Sequence, residues 1–303
     1  MSNAINKVGF IGLGFMGHGI AKNIVEKGFS LTVMAHRNRA PVEDMISRGA
    51  TEVETVKEVA ADSEIVFLCV TGSKEVEAII RGENGLKESL KPGSIVIDTS
   101  TSDPNSTLAL ADELEAVGVT LVDAPLGRSP KEAWEGKLDT MVGCDEQTFA
   151  RIKPVLETWA GRIVHIGTIG DGHKMKLINN FISLGYGALY AEALTLAEKV
   201  GIEPARFDSV IRGSRMDCQF YQTYMQYVLE RDRDAHKFTL RNGLKDMRYL
   251  DAMATQAGIA NPLSNAVKNS YALAVNTGRG EDYIPMISDV IAELNDTSLE
   301  PAE

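Results

Sequence analysis

The chain opens with short unbroken apolar runs, separated by segments in which apolar residues recur at helical spacing. Residues 8–11, 31–35, 65–70, 94–98, 120–124, 139–142 and 163–166 read as strands. Several are apolar without alternation, the pattern of strands covered on both faces. Helical segments lie between most of them. That βαβ rhythm predicts an α/β fold with a doubly wound parallel sheet. It stops after Ile166, where Gly161, Gly167, Gly170 and Gly172 cluster. A helical run over 172–200 follows, with Leu177, Ile178, Phe181, Leu184, Gly185, Ala188, Leu189, Ala193, Leu194 and Ala197 going nearly all round it. Such a helix is expected to be buried on every side. At 1.5 Å per residue it would be about 43 Å long, enough to join two domains. Gly201 and Pro204 end it, and the rest reads as helices.

Length agrees with this division, because 303 residues make about two domains. The boundary is expected between 168 and 169, giving a sheet domain over 1–168 and an all-α domain over 169–303. Hydrophobic residues at 44% exclude a mainly disordered chain. No apolar stretch has the length of a membrane span. Acidic residues number 42 against 31 basic, and a net charge of −11 argues against nucleic acid as a partner. Cys69, Cys144 and Cys218 are odd in number and form no CxxC pair, which suggests a reducing, cytoplasmic setting. Met1-Ser2-Asn3-Ala4 does not begin a signal peptide.

The first predicted strand runs into Gly12-Leu13-Gly14-Phe15-Met16-Gly17, and a helix and a second strand follow. This is GxGxxG in the strand–turn–helix setting that binds a dinucleotide in Rossmann-type domains. Gly12 permits the turn, Gly14 the approach of a pyrophosphate, and Gly17 close helix packing. The helix N-terminus then offers free N–H groups to the phosphates. Asp or Glu usually ends the second strand of an NAD site, gripping the ribose. Here the strand ends in Ala35-His36-Arg37-Asn38-Arg39. Its basic residues suit a 2′-phosphate, so NADP is favoured, with NAD possible; the alternative is that Arg37 and Arg39 only open the next segment in solvent.

Four blocks together resemble the β-hydroxyacid dehydrogenase family, which includes 3-hydroxyisobutyrate dehydrogenase and tartronate semialdehyde reductase. The first continues the glycine motif to Ala21-Lys22-Asn23 as GLGxMGxxxAxN. The second, Asp98-Thr99-Ser100-Thr101-Ser102-Asp103-Pro104, is similar to DxSTxxP, whose Ser-Thr lies near nicotinamide and substrate. Taken alone it would read as an N-cap and turn. The third, Asp123-Ala124-Pro125-Leu126-Gly127-Arg128-Ser129-Pro130, departs from the usual DAPVSGG, a loop that binds the substrate carboxylate. The fourth, Gly170 to Asn180, resembles GxGxxxKxxNN.

The resemblance implies Lys176 as the catalytic acid/base and Ser100, Asn180 and Gly127-Arg128-Ser129 as the substrate site. It implies Lys245, in the Lys245-Asp246 pair, as a group reaching the site from the helical domain and a cofactor neighbour. Val70, Thr71 and Thr101 join the glycine motif, His36, Arg37 and Arg39 as cofactor-binding residues. Lys176 and Asn180 share a helix face by their i, i+4 spacing. The five histidines form no metal-ligand spacing, so no metal is expected; His173, near this helix, reads as structural or exposed.

The family implies hydride transfer between NADP(H) and a short 3-hydroxy acid or its semialdehyde. Arg128 would read an extra anionic group, a sulfonate being one candidate. Family members are dimers or tetramers, so a homo-oligomer is expected. The alternative is a non-catalytic dinucleotide sensor or scaffold, which would be expected to lose the lysine. The helical half is too short for 6-phosphogluconate dehydrogenase, and imine reductases tend to lack the lysine.

Overall fold

The computed structural model describes residues 5–36 and 38–300. The chain divides into two compact units, one ending at Lys176 and one beginning at Leu177.

The first unit holds nine strands: β1 (Lys7–Ile11), β2 (Ser30–Met34), β3 (Thr51–Val53), β4 (Ile65–Leu68), β5 (Ile95–Asp98), β6 (Thr120–Asp123), β7 (Leu126–Gly127), β8 (Leu138–Gly143) and β9 (Ala160–Gly167). Their order is β3-β2-β1-β4-β5-β6-β8-β7, with β9 on β8. From β3 to β6 every pairing is parallel, the order of a Rossmann-type sheet. The unbroken apolar runs follow from burial on both faces. Ile65 and Phe67 of β4 enter one core with Phe10, Ile24 and Trp159, while Val66 and Leu68 enter another with Val96 and Leu114. Each such side chain contributes about 1.5–3 kcal/mol of burial.

All seven predicted strands are present. The short β3 and β7 were not anticipated, and the sheet is not parallel throughout: β8 runs antiparallel to β6 and β7. A parallel return needs a crossover of a dozen or more residues. Between β7 and β8 the chain holds only the six-residue helix Pro130–Glu135 and its flanks.

A single 29-residue helix, Asp171–Lys199, runs through the unit boundary. Gly201, in the left-handed region at φ 86°, follows its end. In the second unit its buried residues Leu184, Ala191 and Leu194 meet Tyr221, Tyr224, Met247 and Tyr271 from the helices Gln219–Glu230, Leu240–Gln256 and Pro262–Ala274. The hydroxyls of Tyr224 and Tyr271 donate to the Gly187 and Leu184 carbonyls of the long helix, so these buried rings leave no polar atom unpaired. The helix is not buried on every side, as its composition had suggested. Ile178, Ile182, Tyr186, Leu189 and Leu196 form an exposed row, with Leu189 60% and Leu196 65% accessible. The core needs only one stripe of the helix, so apolar composition all round does not by itself cover the other.

Candidate active site

β1 delivers the glycine loop to the carboxyl end of the sheet, where the helix Gly17–Glu26 begins. Gly12 sits at φ 107°, and a Cβ there would lie 2.2 Å from the Cys69 carbonyl oxygen. At Gly17 a Cβ would lie 2.0 Å from the Gly12 oxygen. The fold itself therefore demands both glycines. Gly14 differs, since a Cβ would meet nothing within 4 Å. No packing contact among the described residues explains it, and a dinucleotide pyrophosphate drawn close to the backbone would. Leu13 and Met16 pack against the core, while Phe15 is exposed. The loop thus fits a dinucleotide.

At the end of β2, His36 is exposed and Arg37 lies outside the described residues. Arg39 is already engaged: its Nη1 and Nη2 donate to the two Glu52 carboxylate oxygens at 3.0 and 3.1 Å, and Glu43 lies 3.5 Å from its Nε. The neighbouring carboxylate raises the Arg39 pKa above its ordinary value.

After β5 the chain turns through a fully bonded loop. The Asp98 carboxylate accepts from Ser100 N–H at 2.9 Å and from the Ser102 hydroxyl at 2.8 Å. Thr99 donates through both its N–H and its hydroxyl to the Leu68 carbonyl. Val70 N–H donates to Ser100 Oγ at 3.0 Å, which joins two of the expected site residues directly. Thr71, next to Val70, is exposed, and Thr101 is half-buried. Asp103, not Ser100, caps the following helix, Pro104–Glu115. The N-cap and turn that the block alone would suggest are therefore present, supplied by Asp103 and not by Ser100.

The next loop behaves differently from its glycine-rich pattern. Gly127 pairs with Asp139 across β7 and β8. Arg128 holds φ 76°, a left-handed conformation that is uncommon for a residue with a side chain. Its Nε lies 3.0 Å from Asp139 Oδ1. Ser129 caps the helix Pro130–Glu135 in a capping box with Glu132, so both its hydroxyl and its N–H are used within that helix. Of the three loop residues, Ser129 is thus committed to its own helix and Arg128 lies against Asp139.

Asp123 ends β6 and anchors the start of the long helix. Its two carboxylate oxygens accept the N–H groups of Gly170 and His173, each at 2.7 Å. Burial raises its pKa, opposed by His173 and those N–H donors. Gly172 is required here because a Cβ would meet the Met141 carbonyl at 2.4 Å and Asp123 Oδ2 at 2.9 Å. His173 is fully buried, which fits the structural of its two expected readings and not the exposed one. Lys174 is paired to Asp171 at 2.9 Å. Burial pushes the Cys69 thiol up to about 11, so it offers no thiolate nucleophile. Among the described residues no His, Cys, Asp or Glu group of three or more is arranged to hold a metal.

In the second unit, Asn180 is buried and its Nδ2 donates to Asp246 Oδ2 at 2.7 Å. A carboxylate only accepts, so this bond settles which way the amide points. Lys245 Nζ lies 2.9 Å from Asp246 Oδ1 and 5.0 Å from the Tyr249 ring centre. The sequence pattern singled out Asn180 and Lys245 but missed Asp246, their common partner. It also missed Asp123 and Asp139. Of these, the DAP block and the KD pair carried the only signal.

Residues 7–167 match the NAD binding domain of 6-phosphogluconate dehydrogenase, and residues 170–288 match the NAD-binding domain of NADP-dependent 3-hydroxyisobutyrate dehydrogenase. The chain is 36% identical over 206 residues to 2-(hydroxymethyl)glutarate dehydrogenase of Eubacterium barkeri, covering 68% of each protein. It is 30% identical over 285 residues to 3-sulfolactaldehyde reductase of Escherichia coli, covering 93% of this chain and 95% of that one. Among solved structures, 3-hydroxyisobutyrate dehydrogenase from Salmonella typhimurium superposes with a TM-score of 0.85 at 25% identity, covering 94% of this chain and 99% of that one. With the glycine loop, the Ser100 turn and the Lys176 helix in place, the chain belongs to the β-hydroxyacid dehydrogenase family of NAD(P)-dependent oxidoreductases.

Proposed function

We propose that the protein interconverts a short 3-hydroxy acid and its semialdehyde with NADP(H), Lys176 carrying the proton. The observation that carries this reading is the 3.0 Å bond from Val70 N–H to Ser100 Oγ. It fixes a hydroxyl at the carboxyl end of β4, beside the strand that bears the glycine loop, where open α/β sheets bind ligands. Because Oγ accepts from Val70, its own hydrogen is left to be given to a substrate carboxylate. A bound nicotinamide supplies or accepts the hydride. Lys176 gives its proton to the aldehyde oxygen in reduction, or as a free amine takes the alcohol proton in oxidation. The family resemblance assigns Asn180, whose amide Asp246 orients, to the reacting oxygen and Lys245 to the acid group. Thr101, Val70, Thr71 and the glycine loop are the residues for the cofactor, and the basic types of His36, Arg37 and Arg39 suit its 2′-phosphate.

Steady-state oxidation of a panel of small 3-hydroxy acids with NADP+ and NAD+ tests the reading. Turnover with at least one acid is expected, and Ser100→Ala should raise its KM about tenfold or more, the loss of one hydrogen bond to a charged group. A panel with no turnover would contradict it. Retention of Lys176 speaks against a non-catalytic sensor of the same fold.

Arg128 supports a second anionic group on the substrate. A non-glycine residue in a left-handed conformation costs of order 1–3 kcal/mol and persists where something over-determines it. Two relatives are named for a glutarate and a sulfo compound, a dicarboxylate and a sulfonate. Arg128→Gly is expected to reverse the rank of di-anionic over mono-anionic substrates by kcat/KM. An unchanged rank order would place Arg128 outside recognition.

The exposed row Ile178, Ile182, Tyr186, Leu189 and Leu196 supports a homodimer or homotetramer formed through the long helix. The free thiols Cys69, Cys144 and Cys218 support a reducing, cytoplasmic compartment. No helix among the described residues is long and apolar enough to cross a membrane.

A further inference from the structure

The buried histidine has no part in the chemistry above. His173 is 0% exposed and lies three residues before Lys176, in the adjoining turn of the same helix. Its Nε2 is 3.2 Å from the Ser100 carbonyl oxygen, and its Nδ1 is 2.8 Å from Thr107 Oγ1. A carbonyl oxygen can only accept, so Nε2 carries the hydrogen and donates it. The Asp98 and Asp123 carboxylates lie 3.7 and 3.9 Å from the ring nitrogens, and both are themselves bonded to this loop or this helix. Ser100 is consequently held at three atoms: its N–H by Asp98, its oxygen by His173 and its Oγ by Val70. Of these three bonds only the one from His173 reaches across from the Lys176 helix, spanning 73 residues of sequence. Filling the same space with an apolar side chain would pack as well but leave the buried Ser100 carbonyl and Thr107 hydroxyl without this partner.

We propose that His173 is a positioning residue, its Nε2–H bond to the Ser100 carbonyl setting the Ser100 hydroxyl in register with the turn that carries Lys176. This rests on the roles given above to Ser100 and Lys176. A shift of about 1 Å in a substrate-holding group can cost on the order of 10²-fold in rate, so one buried bond can matter this much.

The test uses side chains that reach different ring nitrogens. In His173→Gln the amide nitrogen can stand where Nε2 stood; in His173→Asn it stops near the position of Nδ1. Amide hydrogen exchange is followed at Val70, whose N–H is bonded to Ser100 Oγ, and at Phe67 in the neighbouring buried strand. His173→Asn should speed exchange at Val70 about tenfold or more and leave Phe67 unchanged. It should lower kcat/KM for the hydroxy acid by at least about tenfold, with NADP+ affinity unchanged. His173→Gln should remain within about threefold of wild type in both readouts. Should His173→Asn fail to fold, Thr107→Val keeps the Nε2 bond and should protect Val70 as His173→Gln does. Unchanged Val70 exchange in His173→Asn would overturn the proposal. So would loss of Val70 protection in His173→Gln or Thr107→Val, or parallel loss at Val70 and Phe67, which marks a merely structural role. Exchange needs no substrate, so it judges His173 even if the wild type turns over no 3-hydroxy acid and the functional reading falls.

Discussion

At the scale of single residues the site is governed by carboxylates that choose what other groups may do. Asp246 turns the Asn180 amide, Asp123 seats the first turn of the long helix, Asp139 holds Arg128, and Glu52 occupies Arg39. The last bears on cofactor choice. A 2′-phosphate has to win Arg39 from Glu52, and a charge-assisted bond is worth about 1.5–3 kcal/mol. Glu52→Gln is therefore expected to tighten NADPH binding severalfold while leaving NADH nearly unchanged, measured by calorimetric titration of both. Equal effects on the two cofactors would remove Arg39 from the phosphate site. Lys176, Ser100 and Asn180 stand out in the sequence because each sits in a short motif. Their carboxylate partners were harder to see, since Asn180 and Asp246 are 66 residues apart and Gly170 and Asp123 are 47 apart. Nothing in local spacing reports such pairs. Ser129 caps its helix, and a capping serine and an anion-binding serine look alike in a motif.

At the scale of elements, the strand–loop–helix unit separates glycines that the fold requires from one that it does not. Gly17→Ala forces a Cβ to 2.0 Å from backbone and should lower stability by about 1–3 kcal/mol or more in urea unfolding. Gly14→Ala meets no protein atom within 4 Å, so its midpoint should barely move, while NADPH affinity should fall about tenfold or more. Similar stability losses in both would mean that Gly14 is also a packing glycine. The unbroken apolar strands were readable for the same physical reason that they are buried on both faces. β3 and β7, with three and two residues, carry too little pattern to be recognised, and β7 appears only through its pairing with β8. The end of β4 moved where polar chemistry takes over: Val70 belongs by composition to the strand, but its N–H is bonded to Ser100 Oγ.

For the molecule as a whole, the sequence foretold a sheet domain followed by helices, but it overstated how much of the long helix one chain covers. The uncovered positions 178, 182, 186, 189 and 196 repeat at three, four or seven residues, the spacing of a helix seam. Leu189→Lys together with Ile182→Lys should convert an oligomer to monomers in sedimentation analysis, with the fold intact by circular dichroism. A wild type that already sediments as a monomer would contradict that assembly. The central claim is that this fold brings a lysine to a hydride-transfer reaction as its proton carrier. Its most direct test is the turnover of Lys176→Ala in the oxidation of the best 3-hydroxy acid, with NADP+ affinity measured alongside. A positioned proton-transfer group contributes about 10²–10⁴-fold. The account predicts a fall in kcat of at least about 10²-fold, unchanged NADP+ binding, and loss of the wild-type rise in oxidation rate with pH, since only an uncharged amine accepts the alcohol proton. Near wild-type turnover with the same pH profile would contradict it and shift the search to Lys245.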